Sequence, residues 1–133
     1  MILVDTSVWI EVLRDPLGRR KAVLDAALEG DEPVLSRFHQ LELLQGARDE
    51  REWGLLDEYL DVQDYLECGL DSWSEAARIF FDLRRRGKTV RSPIDCCIAQ
   101  IAIDHDVLLL HRDRDFEVIA EVRPLRQRRL TFR

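Results

Sequence analysis

Acidic side chains stand at several points of the chain where the surrounding residues are apolar. Asp5 interrupts the opening MILVDTSVWIEVL, Glu42 lies among leucines in LELLQGA, and Asp95 heads the apolar run PIDCCIAQIAI. Asp113 and Asp115 follow the run VLLL, in the segment HRDRDF. Converging carboxylates repel one another unless a cation lies among them, and oxygen ligands favour Mg²⁺ or Mn²⁺ over zinc. The acids therefore predict a divalent-metal site suited to phosphoryl chemistry.

Each acid also has a purely structural interpretation. Asp5, or a hydroxyl beside it, would cap the helix that follows, and Asp95 would complete a capping box with Ser92. Either aspartate of HRDRDF would cap a helix over residues 116–121, and Glu42 would be a half-exposed helix residue. Independent caps scatter over both ends of a sheet, whereas these acids all map to one edge. Their shared position favours the metal site.

Short apolar runs predict the strands that deliver these acids. They cover residues 2–4, 33–35, 62–66 and 107–110, and residues 130–132 add an edge strand. Helical stripes lie between them, the strongest over residues 94–102, with Ser92 as its cap and Pro93 at its first position. The preceding helix stops at Gly87. This alternation predicts an α/β fold whose parallel sheet is covered on both faces and binds ligands beyond the carboxyl ends of its strands.

Length and composition are those of one globular domain. The chain has 133 residues, 46% of them hydrophobic and 35% charged, and no apolar run approaches the roughly 20 residues that span a bilayer. The N-terminus lacks the features of a signal peptide. Three cysteines, two of them adjacent, argue against a disulfide framework and a zinc ribbon, and the three histidines have no metal-ligand spacing. We expect a cytoplasmic protein that does not associate with membranes.

The charge is distributed unevenly along the chain. The net charge is -6, but residues 1–83 carry 8 Lys and Arg against 19 Asp and Glu, and residues 84–133 carry 12 against 7. Such asymmetry indicates an anionic partner on one side of the molecule. Arg91, Arg112 and Arg114 are the candidates for contacts with the phosphate groups of such a partner. For Arg112 and Arg114, which alternate with acids, internal neutralisation of the acid cluster is an equally good interpretation.

The acids and their surroundings resemble the PIN-domain ribonucleases, and more narrowly the VapC toxins of VapBC toxin–antitoxin pairs. The resemblance rests on MILVDTSVWIE, LELLQGA, VRSPIDCCIAQIAIDHDVLLLHRDRDF and the C-terminal tail, and it spans essentially the whole chain. It implies a three-layer α/β/α fold with a central, mostly parallel sheet, and a single PIN-like nuclease domain over residues 1–133. Thr6 or Ser7 matches a small polar residue beside the first acid. The implied catalytic residues are Asp5, Glu42, Asp95, Asp113 and Asp115.

The resemblance also implies a reaction and its partners. Asp5, Asp95 and Asp113 would hold Mg²⁺, or Mn²⁺, directly or through water. Glu42 and Asp115 would orient the attacking water or help to bind a second ion. The implied activity is metal-dependent endoribonucleolytic hydrolysis of RNA. The implied partners are the RNA substrate, a second copy of the chain in a homodimer, and a cognate VapB-type antitoxin that lays a peptide across the site in a heteromeric complex.

Other interpretations stay open from the sequence alone. A PIN scaffold can serve as an RNA-binding or interaction module with a structural metal. A ribosome-assembly or RNA-decay PIN protein is a further alternative, but such proteins are longer. A phosphoacceptor receiver domain also carries acids at strand ends, but it needs a lysine after a late strand, and no lysine follows Arg91. The three tryptophans, on helices, are expected in the core, with interface anchoring as the alternative. These are Trp9, Trp53 and Trp73.

Overall fold

A five-stranded sheet lies at the centre of the computed structural model, which describes residues 1–132. Its strands are β1 (Ile2–Val4), β2 (Pro33–Ser36), β3 (Tyr65–Leu66), β4 (Leu108–His111) and β5 (Gln127–Arg129). Every pairing between neighbours is parallel, and the strand order is β3-β2-β1-β4-β5. The chain first adds strands on one side of β1 and then places β4 on the other side. The order therefore reverses between β1 and β4, which is where an open parallel sheet binds its ligands.

Helices cover both faces of this sheet. They are α1 (Thr6–Leu13), α2 (Arg19–Leu28), α3 (Arg37–Gln45), α4 (Glu50–Asp61), α5 (Ser72–Arg85), α6 (Pro93–Asp104) and α7 (Arg114–Ala120). Side chains alternate along β1, so that Ile2 and Val4 join the hydrophobic cluster of α1 to α4, whereas Leu3 joins that of α5 to α7. The predicted three-layer α/β/α fold with a parallel sheet is confirmed. Within residues 1–132, no helix has the length and apolar character needed to cross a membrane.

Two predicted strands differ from the structure at the edges of the sheet. The prediction over residues 62–66 is wrong for 62–64, because α4 runs to Asp61 and Val62, which caps it, is 79% exposed. The edge strand predicted over residues 130–132 is also wrong, because Gln127–Arg129 pairs with β4 instead. Leu130 is apolar because it packs into the cluster of α1 to α4. A solvent-facing edge strand needs no apolar pattern of its own, so polar residues form it.

The segment between α5 and α6 is fixed at three points. Gly87, with a φ of 73°, follows the end of α5 as predicted, and the N–H groups of Gly87 and Lys88 donate to carbonyls of the last helical turn. Val90 is buried in the hydrophobic core. Ser92 caps α6 as predicted, since its Oγ accepts the N–H of Ile94 at 3.1 Å. The first turn of α6 is therefore held at the carboxyl edge of the sheet.

Substitution of the Ser92 cap by alanine should lower the free energy of unfolding by about 1 kcal/mol, because a backbone N–H of α6 loses its partner. Urea denaturation followed by circular dichroism measures this change. Ser74→Ala is the matched control, since the Ser74 hydroxyl makes only a long contact of 3.4 Å, to the Asp71 carbonyl. Its effect should stay within about 0.5 kcal/mol. Equal effects of the two substitutions would contradict the capping role.

Candidate metal centre

The five predicted acids lie at the carboxyl edge of the sheet, around the ends of β1 and β4. They fall into two groups, and within each group one ligand atom per residue lies within 4.8 Å of the others. The first group is Asp5, His39 and Glu42, and the second is Asp95, Asp113 and Asp115. The groups are neighbours, because the N–H of Asp5 donates to the carbonyl of Leu110 across β1 and β4 at 2.9 Å. The structure thus brings all five acids to one edge of the sheet. It places them in two groups, however, and the first group also contains a histidine.

Asp5 is buried at the end of β1, and hydrogen bonds engage both of its oxygens. Oδ2 accepts the N–H and the hydroxyl of Ser7 at 3.1 and 2.6 Å, and Oδ1 lies 2.9 Å from Nε2 of His39. Asp5 also caps α1, so its structural interpretation is correct as well. Burial alone would raise the pKa of Asp5, but the bonds from His39 and Ser7 hold that pKa below its usual value. The carboxylate is therefore charged and firmly oriented.

His39 is fully buried and connects α3 to Asp5. The backbone N–H of Ser36 donates to Nδ1 of His39 at 3.0 Å, so the ring proton lies on Nε2 and is donated to Asp5. With both ring nitrogens engaged, His39 orients Asp5 and is not free to bind a metal ion. The sequence analysis missed this residue because it looked for metal-ligand spacings. The available signal is that His39 precedes Glu42 by three residues, on the same face of a helix.

Glu42 is half-buried on α3, beside Asp5. The hydroxyl of Thr6 donates to its Oε1 at 3.1 Å. Burial, together with the negative charge of Asp5, raises the pKa of Glu42. A carboxyl group in this state exchanges a proton at higher pH than an ordinary glutamate, which suits a general base. Thr6 and Ser7 therefore each hold one acid: Thr6 holds Glu42 and Ser7 holds Asp5.

Asp95 is almost fully buried in the first turn of α6. Burial, with the charges of Asp113 and Asp5, raises the pKa of Asp95 to about 8. Ser92 caps the helix through another backbone N–H, and within residues 1–132 no hydrogen bond joins the Asp95 carboxyl to Ser92. The capping-box interpretation of Asp95 is therefore wrong. Its carboxyl group faces the other acids, and a proton relieves their repulsion where a cation would otherwise do so.

Asp113 begins α7 and belongs to the acid group at the same time. Its Oδ1 accepts the N–H of Asp115 at 3.0 Å, as expected of a cap. Its own N–H donates to Nδ1 of the buried His111 at 3.0 Å, and Nε2 of His111 lies 2.7 Å from the side-chain oxygen of Gln127 on β5. A second buried histidine, also missed from the sequence, thus fixes the backbone at an acid. Asp113 is therefore both the cap of α7 and a member of the acid group.

The three arginines predicted to bind RNA have different surroundings. Arg91 pairs with two acids of the second group although its side chain is 75% exposed. Arg112 pairs with Glu11, which belongs to neither group, at 3.3 Å. Arg114 is exposed and, as far as the described chain extends, makes no salt bridge. Arg91, rather than Arg112 or Arg114, neutralises the acids.

The second group has the donor chemistry of a site for a hard divalent cation. It offers three carboxyl groups at close range, and burial together with the neighbouring charges keeps a proton on one of them, Asp95, in the ordinary pH range. Carboxylate oxygens are the ligands that Mg²⁺ and Mn²⁺ prefer. The residues present therefore fit a metal ion. The assignment of the ion to Asp5, Asp95 and Asp113 stays a prediction, since Asp5 belongs to the neighbouring group.

The sequence of the chain is similar to those of known proteins. A family model for the PIN domain matches residues 2–122. The chain is 37% identical over 131 residues to ribonuclease VapC11 of Mycobacterium tuberculosis, and the match covers 92% of this chain and 93% of that protein. It is 32% identical over 120 residues to ribonuclease VapC51 of the same organism, with 90% and 85% covered.

Solved structures share the fold. FitAcB from Neisseria gonorrhoeae has a TM-score of 0.73 and 27% identity, covering 90% of this chain and 94% of that chain. VapBC-1 from nontypeable Haemophilus influenzae has a TM-score of 0.79 at 18% identity, covering 99% and 100%, a likeness that concerns the fold alone. The chain belongs to the PIN domain family and, within it, to the VapC ribonucleases.

Proposed function

We propose that the protein is the toxin of a type II toxin–antitoxin system and an endoribonuclease that hydrolyses RNA phosphodiester bonds with Mg²⁺ or Mn²⁺. The observation that carries the proposal is the second acid group, in which a protonated Asp95 lies among carboxylates that a cation would stabilise. Residues 1–133 act as a single nuclease domain, since both groups are built on one sheet. An RNA substrate and three free cysteines favour the cytoplasm as the site of action.

The residues that would hold the ion are Asp95 and Asp113, with Asp115 beside them and with Asp5 as the third ligand, directly or through water. A bound divalent ion supplies positive charge that lowers the pKa of water and offsets the charge of the phosphate. Asp5 contributes a fixed negative charge, because both of its oxygens are held by neighbours. Glu42, oriented by Thr6, positions the attacking water and accepts its proton.

RNA would approach along the edge of the sheet next to Asp115. A pocket of about 390 Å³ opens there between α7 and the segment that joins α5 to α6. It is lined by Lys88, Thr89, Arg114, Asp115, Glu117, Val118 and Glu121. Of the two cations that line this pocket, Lys88 pairs with Glu121 at 2.8 Å, whereas Arg114 makes no salt bridge within residues 1–132 and can bind a phosphate. We therefore assign the flanking phosphate to Arg114.

The proposed protein partners are a second copy of the chain and a VapB-type antitoxin. A groove of about 750 Å³ runs beside Glu42 between α1, α3 and α4, with apolar walls from Leu13, Leu55 and Tyr59 among others. An antitoxin peptide that filled it would reach the acids directly. Of the candidate anchors, Trp9 is buried in the core, whereas Trp53 and Trp73 are about half exposed. Trp53 and Trp73 remain the candidates for an interface.

Substitution of Asp95 by asparagine should reduce RNA cleavage at least about 100-fold while leaving the fold intact, because it removes a ligand without changing shape. Cleavage of total RNA in Mg²⁺ or Mn²⁺, with an EDTA arm, measures this. Asp25→Asn, on the exposed side of α2, is the control and should cleave normally. Undiminished cutting by wild type in EDTA would contradict the metal mechanism. RNA binding without any cleavage would favour the alternative function, an RNA-binding PIN module with a structural metal.

The raised pKa of Asp95 makes stability in EDTA depend on pH. Between about pH 4, near the pKa of aspartate in an unfolded chain, and about pH 8, the folded state keeps a proton that the unfolded state has lost. The free energy of unfolding therefore falls as pH rises through this window. The lowered pKa of Asp5 acts below the window. Asp95→Asn should reduce the fall to the part that comes from the raised pKa of Glu42, melting near wild type at pH 5 and at least about 3 °C above it at pH 8.

Thermal denaturation of the wild type and of Asp95→Asn in EDTA, at several pH values between about 4 and about 8, measures the effect. The wild-type curve should also rise when Mn²⁺ is added in excess of the EDTA at pH 8, because an ion that binds only the folded state stabilises it. Asp25→Asn should retain the wild-type slope. Parallel pH curves for wild type and Asp95→Asn would contradict the raised pKa of Asp95.

Substitution of Arg114 by glutamine should weaken RNA binding and reduce its salt dependence, because one phosphate contact is lost. The slope of log affinity against log salt should fall by about 0.7 for a single strand. Fluorescence anisotropy in EDTA, at several salt concentrations, gives both quantities. Arg51→Gln, an exposed arginine on α4, is the control. If both variants keep the wild-type slope, Arg114 does not contact the phosphate.

A further inference from the structure

Arg91 contacts the second acid group through its backbone and its side chain. Its N–H donates to Oδ2 of Asp115 at 3.0 Å, and its Nε donates to the same oxygen at 3.2 Å. Its guanidinium also forms an ion pair with Oδ2 of Asp113. One arginine from the segment between α5 and α6 thus holds the two acids that begin α7.

At Asp113 the contact uses the carboxylate oxygen that is otherwise open to a metal ion. Oδ1 of Asp113 already accepts the N–H of Asp115, so the guanidinium occupies the remaining oxygen, Oδ2. Oδ2 of Asp115 accepts two bonds from Arg91. A divalent cation on these oxygens would lie within a few ångströms of the guanidinium, where two positive charges repel. The ion and the guanidinium are therefore alternatives for the same carboxylates.

We propose that Arg91 is an internal counter-cation that competes with the divalent ion for Asp113 and Asp115. The inference rests on the proposed function, since it concerns the metal site described there. Binding of the ion displaces the guanidinium toward solvent, beside the surface assigned to RNA. Arg91 is then a positioning residue that sets how tightly the ion is held.

The exchange needs little rearrangement of the chain. The Arg91 side chain is 75% exposed, whereas those of Asp113 and Asp115 are 13% and 14% exposed. Val90 and Ser92, on either side of Arg91, are held by the core and by the α6 cap. The backbone N–H bond to Asp115 survives any substitution of the Arg91 side chain. Two ion pairs have to break, and they are weak interactions because their guanidinium is exposed to solvent.

Arg114 provides a matched control for the charge itself. It lies between Asp113 and Asp115 in the chain, carries the same charge as Arg91, and makes no salt bridge within the described residues. Loss of either arginine changes the net charge equally. A purely long-range effect on the ion would therefore be similar for both, whereas direct competition concerns Arg91 alone.

The experiment measures Mn²⁺ binding to the full chain by isothermal titration calorimetry, without RNA. Arg91→Gln should lower the Kd for Mn²⁺ by about three- to tenfold, and Arg114→Gln should change it less than about twofold. Arg91→Lys, which keeps the charge but loses the planar fork, should lie between wild type and Arg91→Gln. It also serves as the second variant if Arg91→Gln does not fold.

The possible failures are distinguishable. An unchanged Kd in Arg91→Gln and Arg91→Lys, with binding abolished by Asp95→Asn, would overturn the role of Arg91 and leave the metal site in place. Equal gains from Arg91→Gln and Arg114→Gln would overturn direct competition in favour of net charge. Absence of Mn²⁺ binding in every variant would overturn both this inference and the metal mechanism. Binding that appears only when Arg91 is substituted would support the competition most strongly.

Discussion

Repulsion among the carboxylates around β1 and β4 is the constraint on which the rest of this structure depends. Each acid is held by a different device. His39 and Ser7 stabilise the charge of Asp5, and Thr6 donates a hydrogen bond to Glu42. Asp95 keeps a proton because its pKa is raised. Two acids share a guanidinium from outside the group. These contacts keep several acids together at one edge of the sheet and so maintain a negative potential there. We propose that this potential serves to bind a cation.

The fold brings the ends of β1 and β4 together, and hydrogen bonds from hydroxyl and imidazole groups fix the positions of the residues there. The strand order reverses between β1 and β4, so the ends of these two strands form the crevice. Ser7 joins them: its hydroxyl donates to Asp5 and accepts the N–H of Arg112 at 2.9 Å. His39 and His111 act in parallel, one behind each strand end. Each accepts a backbone N–H at Nδ1, and each directs its other nitrogen at a side-chain oxygen.

Local signals in the sequence were enough to predict the sheet, the cap at Ser92, the stop at Gly87 and the meeting of five acids. These features depend on apolar runs, turn residues and the rule that parallel strands end at one edge. The two histidines were not predictable in the same way, because the Nε2 partner of each, Asp5 or Gln127, comes from a distant part of the chain. β5 was misplaced because an edge strand carries no apolar alternation. Arg91 gave no local sign of its acid partners, which follow it by more than twenty residues.

The anchored segment between α5 and α6 has a consequence for how the sequence can vary. Gly87, Val90 and Ser92 fix the path of the chain on both sides of Arg91, and few residues separate them. An inserted or deleted residue would change the register between the helix stop and the helix start, and it would carry the guanidinium away from α7. Loops usually tolerate such length changes. The length of this segment sets the spacing between the end of α5 and the start of α6. Relatives with the same acid arrangement should therefore differ here by substitution and not by length.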